Sequence, residues 1–130
     1  LLVVDEQTYQ SVGQFKEDIR GRGGEDIEYG YRARRLAVAM KRLPGDWAIH
    51  EGAPRNDFET GRLCGYGAFW TAQGYPEDYG IALGVHPVML GLKSLAFRLG
   101  VSRLFVTPYY QEYERGYLAG ALEARRERQS

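Results

Sequence analysis

The fold of this chain depends on residues 94–110, which read SLAFRLGVSRLFVTPYY. An apolar helix face ends just before Gly100, and glycine suits the left-handed position that closes a helix. The next six residues, Val101–Val106, are rich in the β-branched and large apolar side chains typical of a buried strand. Thr107-Pro108 then suits the cap and the first turn of another helix. The stretch therefore predicts a helix, a strand and a second helix.

Hydrophobic periodicity predicts the remaining elements on either side of this stretch. A helix is expected over 87–99, and a C-terminal helix from Thr107 or Pro108 to beyond Ala121, with Tyr113, Tyr117, Ala121 and Ala124 along one face. A third helix is expected over 25–43, because its acids lie in the first turn and its bases in the last. Residues 62–72 stay open between helix and strand, since Gly65 and Gly67 weaken either assignment.

These elements predict an α+β fold, or a small α/β fold, with about four helices and a small sheet. The chain has 130 residues, which indicates a single layered domain over 1–130. The glycine-rich residues 21–24 are expected to form a hinge loop, and the polar residues 126–130 a frayed tail.

Charge and cysteine content limit the classes of function. The 17 basic and 17 acidic residues cancel, which argues against a general nucleic-acid coat. One cysteine, Cys64, can form neither a disulfide framework nor a Cys-x-x-Cys zinc site. No apolar run approaches the roughly 18 residues of a membrane span. We therefore expect a cytoplasmic protein that binds no metal, cofactor or membrane.

Residues 94–110 also resemble the helix-turn-helix sequence pattern. Ala96, Gly100 and Val106 occupy the small, turn and buried positions of that pattern. The resemblance implies a recognition helix in the major groove of DNA. Its contacts would come from the residues Arg98, Ser102, Arg103 and Thr107. Pro108 stands where that helix should continue, and proline disrupts a helix interior, so we favour a strand and no specific duplex binding.

A small α/β enzyme is a further alternative. Residues 99–113, LGVSRLFVTPYYQEY, resemble the corresponding stretch of aspartate/glutamate racemase-type isomerases. Those enzymes use two catalytic cysteines in two similar halves, whereas this chain has Cys64 alone and no second half. A thiolate beside an imidazole is a nucleophile, and the candidate catalytic residues are Cys64, His50, Glu51 and His86. No spacing in the sequence shows that these residues meet.

A non-catalytic interaction or regulatory domain, part of an oligomer or larger assembly, is the function that we favour from the sequence. Arg32, Arg35 and Arg42 can share a helix face that binds an anionic partner, although a solvated face explains them as well. Gly116-x-x-x-Gly120 lets another helix pack closely, within the chain or from a neighbour. Tyr113, Tyr117 and Gly120 are therefore candidate interaction residues, with a protein or a second copy as partner and nucleic acid as the alternative.

Overall fold

The computed structural model describes residues 4–17, 19–20, 24–39 and 57–130 of the chain. No strand occurs among these residues, so the predicted α+β fold with a small sheet is wrong. The helices are α1 (Glu6–Val12), α2 (Glu25–Arg35), α3 (Phe58–Ala72), α4 (Glu77–Ala82), α5 (Pro87–Arg98) and α6 (Gln111–Gln129), with 3₁₀ helices at Val101–Leu104 and Pro108–Tyr110. Most of the predicted hinge loop 21–24 lies outside the described residues.

The chain divides into two compact units. The described part of the first unit contains α1 and α2, and that of the second contains α3 to α6.

The strand predicted over 101–106 is replaced by a short 3₁₀ helix, Val101–Leu104. Gly100 adopts a left-handed φ of 71° after α5, and the amides of Phe105 and Val106 both donate to the carbonyl of Ser102. Leu104 and Phe105 are 79% and 82% exposed. A β-prone sequence forms a strand when a sheet or core covers one of its faces. In this structure Leu104 and Phe105 face outward. The segment therefore lacks the burial that would stabilise it as a strand.

The two helices that flank this turn are confirmed. α5 follows the predicted bounds closely, and Gly100 ends it in the expected left-handed conformation. The C-terminal helix begins as a 3₁₀ turn at Pro108, continues as α6 and runs past Ala121 to Gln129. Ala121 and Ala124 are fully buried, as their shared face predicts.

α3 and α6 lie side by side with their backbones in contact. A Cβ atom on Gly61 or Gly65 of α3 would lie 2.0 Å from the carbonyl oxygen of Tyr113 or Tyr117. A Cβ atom on Gly116 or Gly120 of α6 would lie 1.9 Å from the carbonyl oxygen of Phe58 or Arg62. Both helices therefore carry a Gly-x-x-x-Gly face, and each face receives the backbone of the other helix. The close partner of the Gly116-x-x-x-Gly120 face is thus α3 of the same chain.

Polar side chains clasp the edge of this helix pair. Arg62 donates to Glu59 on its own helix and to Glu123 on α6, both at 2.8 Å. One turn later, the hydroxyl of Tyr66 donates to Glu127 at 2.7 Å. The partner number rises by four on both helices, so α3 and α6 run parallel. Ion pairs with this exposure contribute little free energy, and their spacing matches the register of the glycine contacts.

In the first unit, α2 ends well before the predicted residue 43. The amide of Val38 donates to the carbonyl of Ala33, and the amide of Ala37 donates to that of Arg34. These two bonds form a Schellman motif, in which the capping residue adopts a left-handed conformation. That residue is Ala37, with a φ of 55°. A local backbone motif therefore stops the helix before Pro44-Gly45, where the sequence predicted its end.

Gly65→Ala is expected to destabilise the protein strongly, because its Cβ atom meets a backbone carbonyl that cannot rotate away. Overfilled contacts typically cost about 1–3 kcal/mol, and we expect at least the upper end in urea unfolding. The control is Gly91→Ala in α5, where no atom lies within 4 Å of the added Cβ. It should stabilise the helix by about 1 kcal/mol or less. Equal effects of the two substitutions would show that α3 and α6 are not in backbone contact.

Ala37→Gly is expected to stabilise the first unit by about 0.5–1 kcal/mol, because glycine adopts a positive φ without the steric cost of a Cβ atom. The measurement is the free energy of unfolding. Ala39→Gly provides a control at a position without a positive φ, where the added chain entropy should destabilise. A loss of stability in Ala37→Gly would place the end of α2 elsewhere.

Candidate functional site

Two exposed carboxylates stand at the beginning of α2. Glu25 and Asp26 occupy its first turn, immediately after the glycine-rich stretch that ends at Gly24. The Oδ1 atom of Asp26 accepts a hydrogen bond of 2.8 Å from the amide of Ile27. This bond orients the side chain and leaves its second oxygen available. Both carboxylates can therefore accept a proton or a hydrogen bond from a bound molecule.

The third acid of α2, Glu28, is fully buried and forms an ion pair with Arg32. Nε and one terminal nitrogen of the guanidinium donate to the two carboxylate oxygens at 2.7 and 3.0 Å. The two terminal nitrogens also donate to the carbonyls of Val12 and Gln14, the latter at 2.7 Å. A paired, buried charge of this kind is costly to disrupt. Arg32 thus links α2 to the segment after α1, and its guanidinium is occupied by these bonds within the fold.

Tyr29 completes this buried cluster with an exposed fraction of 1%. Its ring stacks on Phe15 with centroids 4.4 Å apart, and the Arg32 guanidinium lies 5.0 Å from the ring centroid. The Tyr29 hydroxyl has no hydrogen-bond partner within the described ranges. Aromatic and ionic contacts together hold the start of α2 in place.

The other two members of the predicted basic face are Arg35 and Arg42. Arg35 is exposed at the end of α2, and Arg42 lies outside the described residues. Of the three arginines in the predicted face, the structure therefore describes Arg32 and Arg35. Arg32 is bound to groups within the fold.

The structure gives the predicted nucleophile and its predicted base different neighbours. Cys64 is half-buried on α3, where its thiol adjoins the Tyr113 hydroxyl. Nε2 of His86 lies 2.6 Å from Glu77, while its Nδ1 accepts the amide of Val88 and caps α5. Both ring nitrogens of the histidine are therefore occupied. His50 and Glu51 lie outside the described residues.

Tyr113, Tyr117 and Gly120, the predicted interaction residues of α6, all belong to the α3–α6 contact. Gly120 is buried, and the Tyr117 hydroxyl donates to the carbonyl of Leu83 at 2.9 Å. Burial, followed by the neighbouring Cys64, raises the pKa of Tyr113. Burial, followed by Tyr113, raises the pKa of Tyr117. These groups serve the packing of the second unit.

A cleft of about 450 Å³ with a mixed polar and apolar lining lies in the second unit beside the end of α6. His86 and Glu77 form one wall, and Arg125 and Arg128 form another. Arg128 also donates to the side chain of Gln73. The cleft combines cationic donors with one carboxylate, so its chemistry suits a small polar ligand with a negative group.

The residues of the helix-turn-helix alternative border a second, wider cleft. Arg98 and Arg103 line it together with Arg115, and both are exposed. Ser102 is 6% exposed and faces Gln111, at 3.3 Å, instead of pointing outward. Thr107 precedes the 3₁₀ turn Pro108–Tyr110, and its side chain makes no capping bond. Between Gly100 and Gln111 the backbone contains two short 3₁₀ turns where the alternative required a recognition helix.

Sequence reasoning missed the exposed pair Glu25 and Asp26, which it interpreted only as acids that favour a helix N-terminus. The available signal was their position directly after Arg20-Gly21-Arg22-Gly23-Gly24. Within the described residues, no group of three or more histidine, cysteine, aspartate or glutamate side chains could hold a metal ion.

Comparison with known proteins gives two partial similarities. The chain is 40% identical over 53 residues to a hyaluronan synthase of Pasteurella multocida, and 37% identical over 54 residues to a chondroitin synthase of Pasteurella multocida strain Pm70. The matches cover 41% and 42% of this chain but 6% of each synthase. No protein-family model matches the chain. No solved structure matches it significantly.

The raised pKa values of Tyr113 and Tyr117 predict alkaline unfolding. The native state holds both phenols neutral, so their contribution to stability is complete below the ordinary tyrosine pKa of about 10 and is lost as the pH rises further. The free energy of unfolding should stay level up to about pH 10 and then fall. Tyr117→Phe should reduce that slope, whereas Tyr109→Phe, at an exposed position, should retain it. Equal slopes for both variants would contradict the assignment.

Proposed function

We propose that this chain is part of an enzyme that transfers sugars during polysaccharide synthesis. The observation that carries the proposal is its 40% identity, over 53 residues, to a hyaluronan synthase. The similarity of the same extent to a chondroitin synthase supports it. Because the matched segment amounts to 6% of each synthase, the proposal concerns the class of reaction and leaves the sugar and the polymer open.

The exposed carboxylates of α2 are suited to a step of that reaction. Sugar transfer forms a bond between an acceptor hydroxyl oxygen and the anomeric carbon of an activated sugar, while the bond to the leaving group breaks. A general base removes the proton of the attacking hydroxyl. Asp26 is the favoured base, because the Ile27 amide fixes its orientation. Glu25 is the second choice, and Glu28 is excluded by its burial and its bond to Arg32.

Asp26→Asn is expected to abolish most sugar transfer without unfolding the protein, because the amide cannot accept the proton. General-base catalysis typically contributes about 10²–10⁴-fold to a rate, so we expect a loss of at least about 100-fold in kcat. The assay combines the expressed protein with a panel of nucleotide-activated sugars and an oligosaccharide acceptor. Product formation is measured by mass spectrometry.

Two matched variants sharpen this experiment. Glu17→Gln removes an exposed carboxylate elsewhere in the first unit and should leave kcat unchanged. Glu25→Gln tests the neighbouring acid, and a larger loss there than in Asp26→Asn would transfer the role of base to Glu25. Absence of transfer with every donor in the panel, from folded protein, would overturn the proposed reaction class.

An interaction role is a second candidate function, and one observation favours it. The second unit exposes a continuous set of large apolar side chains on α5 and on the turn that follows. Monomeric proteins seldom expose large apolar patches without using them.

A further inference from the structure

α5 presents an apolar stripe to solvent. Val88, Leu92, Leu95 and Leu99 follow one another at intervals of four, three and four residues, which places them on one side of a helix. Their exposed fractions are 61%, 58%, 52% and 65%. Leu104 and Phe105 add two more exposed side chains after the turn at Gly100. These six residues are called the α5 face below.

The chain segment that carries the α5 face contains basic residues and no acidic ones. Residues 87–110 contain the cations Lys93, Arg98 and Arg103 and no aspartate or glutamate. Lys93 is bound to Glu114 at 3.2 Å. Arg98 and Arg103 are exposed and make no ion pair with any residue that the structure describes. They line one cleft together with Arg115 and Glu112, which pair with each other at 2.8 Å. An apolar stripe flanked by arginines is complementary to a surface that is apolar inside and anionic at its rim.

Aromatic residues end the same segment. Tyr109 and Tyr110 are 60% and 48% exposed, and their rings contact each other edge to face, with centroids 5.0 Å apart. Tyrosine is enriched at the level of lipid headgroups, where its ring contacts acyl chains and its hydroxyl stays hydrated. The segment thus combines leucine and phenylalanine, arginine and tyrosine, as interfacial helices do.

A spanning orientation fits the geometry poorly. By length and composition, the helical run Glu77–Arg98 could cross a membrane, with a mean hydropathy of 1.4 over its most apolar window. The chain turns within this run at Gly84, whose φ is 69°, and this turn separates α4 from α5. The 12 residues of α5 measure about 18 Å, which is short of the roughly 30 Å of a hydrocarbon core. From the lack of a spanning run we expected no membrane binding, but a helix that lies in the bilayer interface needs no such run.

A second copy of the chain is a less suitable occupant. In a two-fold dimer the same patch meets itself, so Arg98 and Arg103 of one copy would approach the same arginines of the other, while Glu112 in that cleft is already paired with Arg115. Within the second unit as described, the face is largely uncovered, since 22% of the apolar window is buried. A core helix of this composition would be mostly covered.

We propose that the α5 face binds the surface of an anionic phospholipid bilayer. α5 lies along the bilayer with its leucines in the acyl boundary, while Arg98 and Arg103 contact lipid phosphates. Tyr109 and Tyr110 lie at headgroup level. This inference is independent of the sugar-transfer proposal, because it uses neither α2 nor its carboxylates.

Vesicle flotation with the whole chain tests this proposal. The chain should float with vesicles of phosphatidylcholine containing phosphatidylglycerol, and at least about tenfold more weakly with pure phosphatidylcholine. Raising the salt should weaken binding to the anionic vesicles only in part, since apolar contacts are not screened. Leu95→Ser with Phe105→Ser should lower the partition coefficient at least about tenfold. These side chains are exposed, so circular dichroism should remain that of the parent.

Matched variants separate the contributions. Leu36→Ser removes a 56% exposed leucine in the turn after α2 and should leave flotation unchanged, as should Arg34→Gln. Arg98→Gln with Arg103→Gln should abolish the preference for anionic vesicles. In a Phe105→Trp variant, the added indole emission should shift to the blue when anionic vesicles are present.

Three outcomes would overturn the proposal. The first is absence of flotation with either kind of vesicle. The second is flotation that the α5-face substitutions do not change. The third is a dimer, seen by sedimentation, that forms without vesicles and is lost in Leu95→Ser; it would assign the face to a second copy.

Discussion

The second unit depends on the absence of four side chains. Gly61 and Gly65 on α3, and Gly116 and Gly120 on α6, let two parallel helices approach until the backbone of each fills the space at the other's glycines. At this distance the Cα–H groups can contact carbonyl oxygens, and such contacts recur at close helix–helix interfaces. The positions of the side chains that bond from one helix to the other, including Arg62 and Tyr66, follow from this approach. So does the burial of Ala121 and Ala124.

The sequence predicts helices well where an apolar face and an end signal coincide. α5 and the beginning of the C-terminal helix have both, through Gly100 and Thr107-Pro108, and both are confirmed. Prediction from the sequence fails where one residue type can either weaken a helix or allow it to pack closely. Gly65 and Gly67 were interpreted as weakening α3, although Gly65 makes the contact with α6 that gives this helix its partner. Propensity describes a residue alone, whereas the contact depends on another helix far along the chain.

The strand prediction failed for a related reason. The pattern in Val101–Val106 indicates a β-prone segment only on the assumption that a sheet or core covers it. The assumption cannot be checked locally, and in the structure Leu104 and Phe105 are exposed. α2 illustrates a third limit, since Ala37 ends the helix with a backbone motif that normally recruits glycine. The exposed carboxylates Glu25 and Asp26 were visible in the sequence, but their exposure and the internal bond of Glu28 were not.

The parallel arrangement of α3 and α6 also has a kinetic consequence. Two parallel neighbours cannot be joined by a tight turn, so the chain must pass through residues 73–110 before α6 exists. α3 carries Gly61, Gly65 and Gly67, each of which costs an isolated helix up to about 1 kcal/mol, so it gains helical stability only when α6 arrives. Contacts between residues this distant in sequence slow folding. During synthesis from the N-terminus, α3 therefore stays without its partner until α6 has been made, and the two helices fold in one cooperative step.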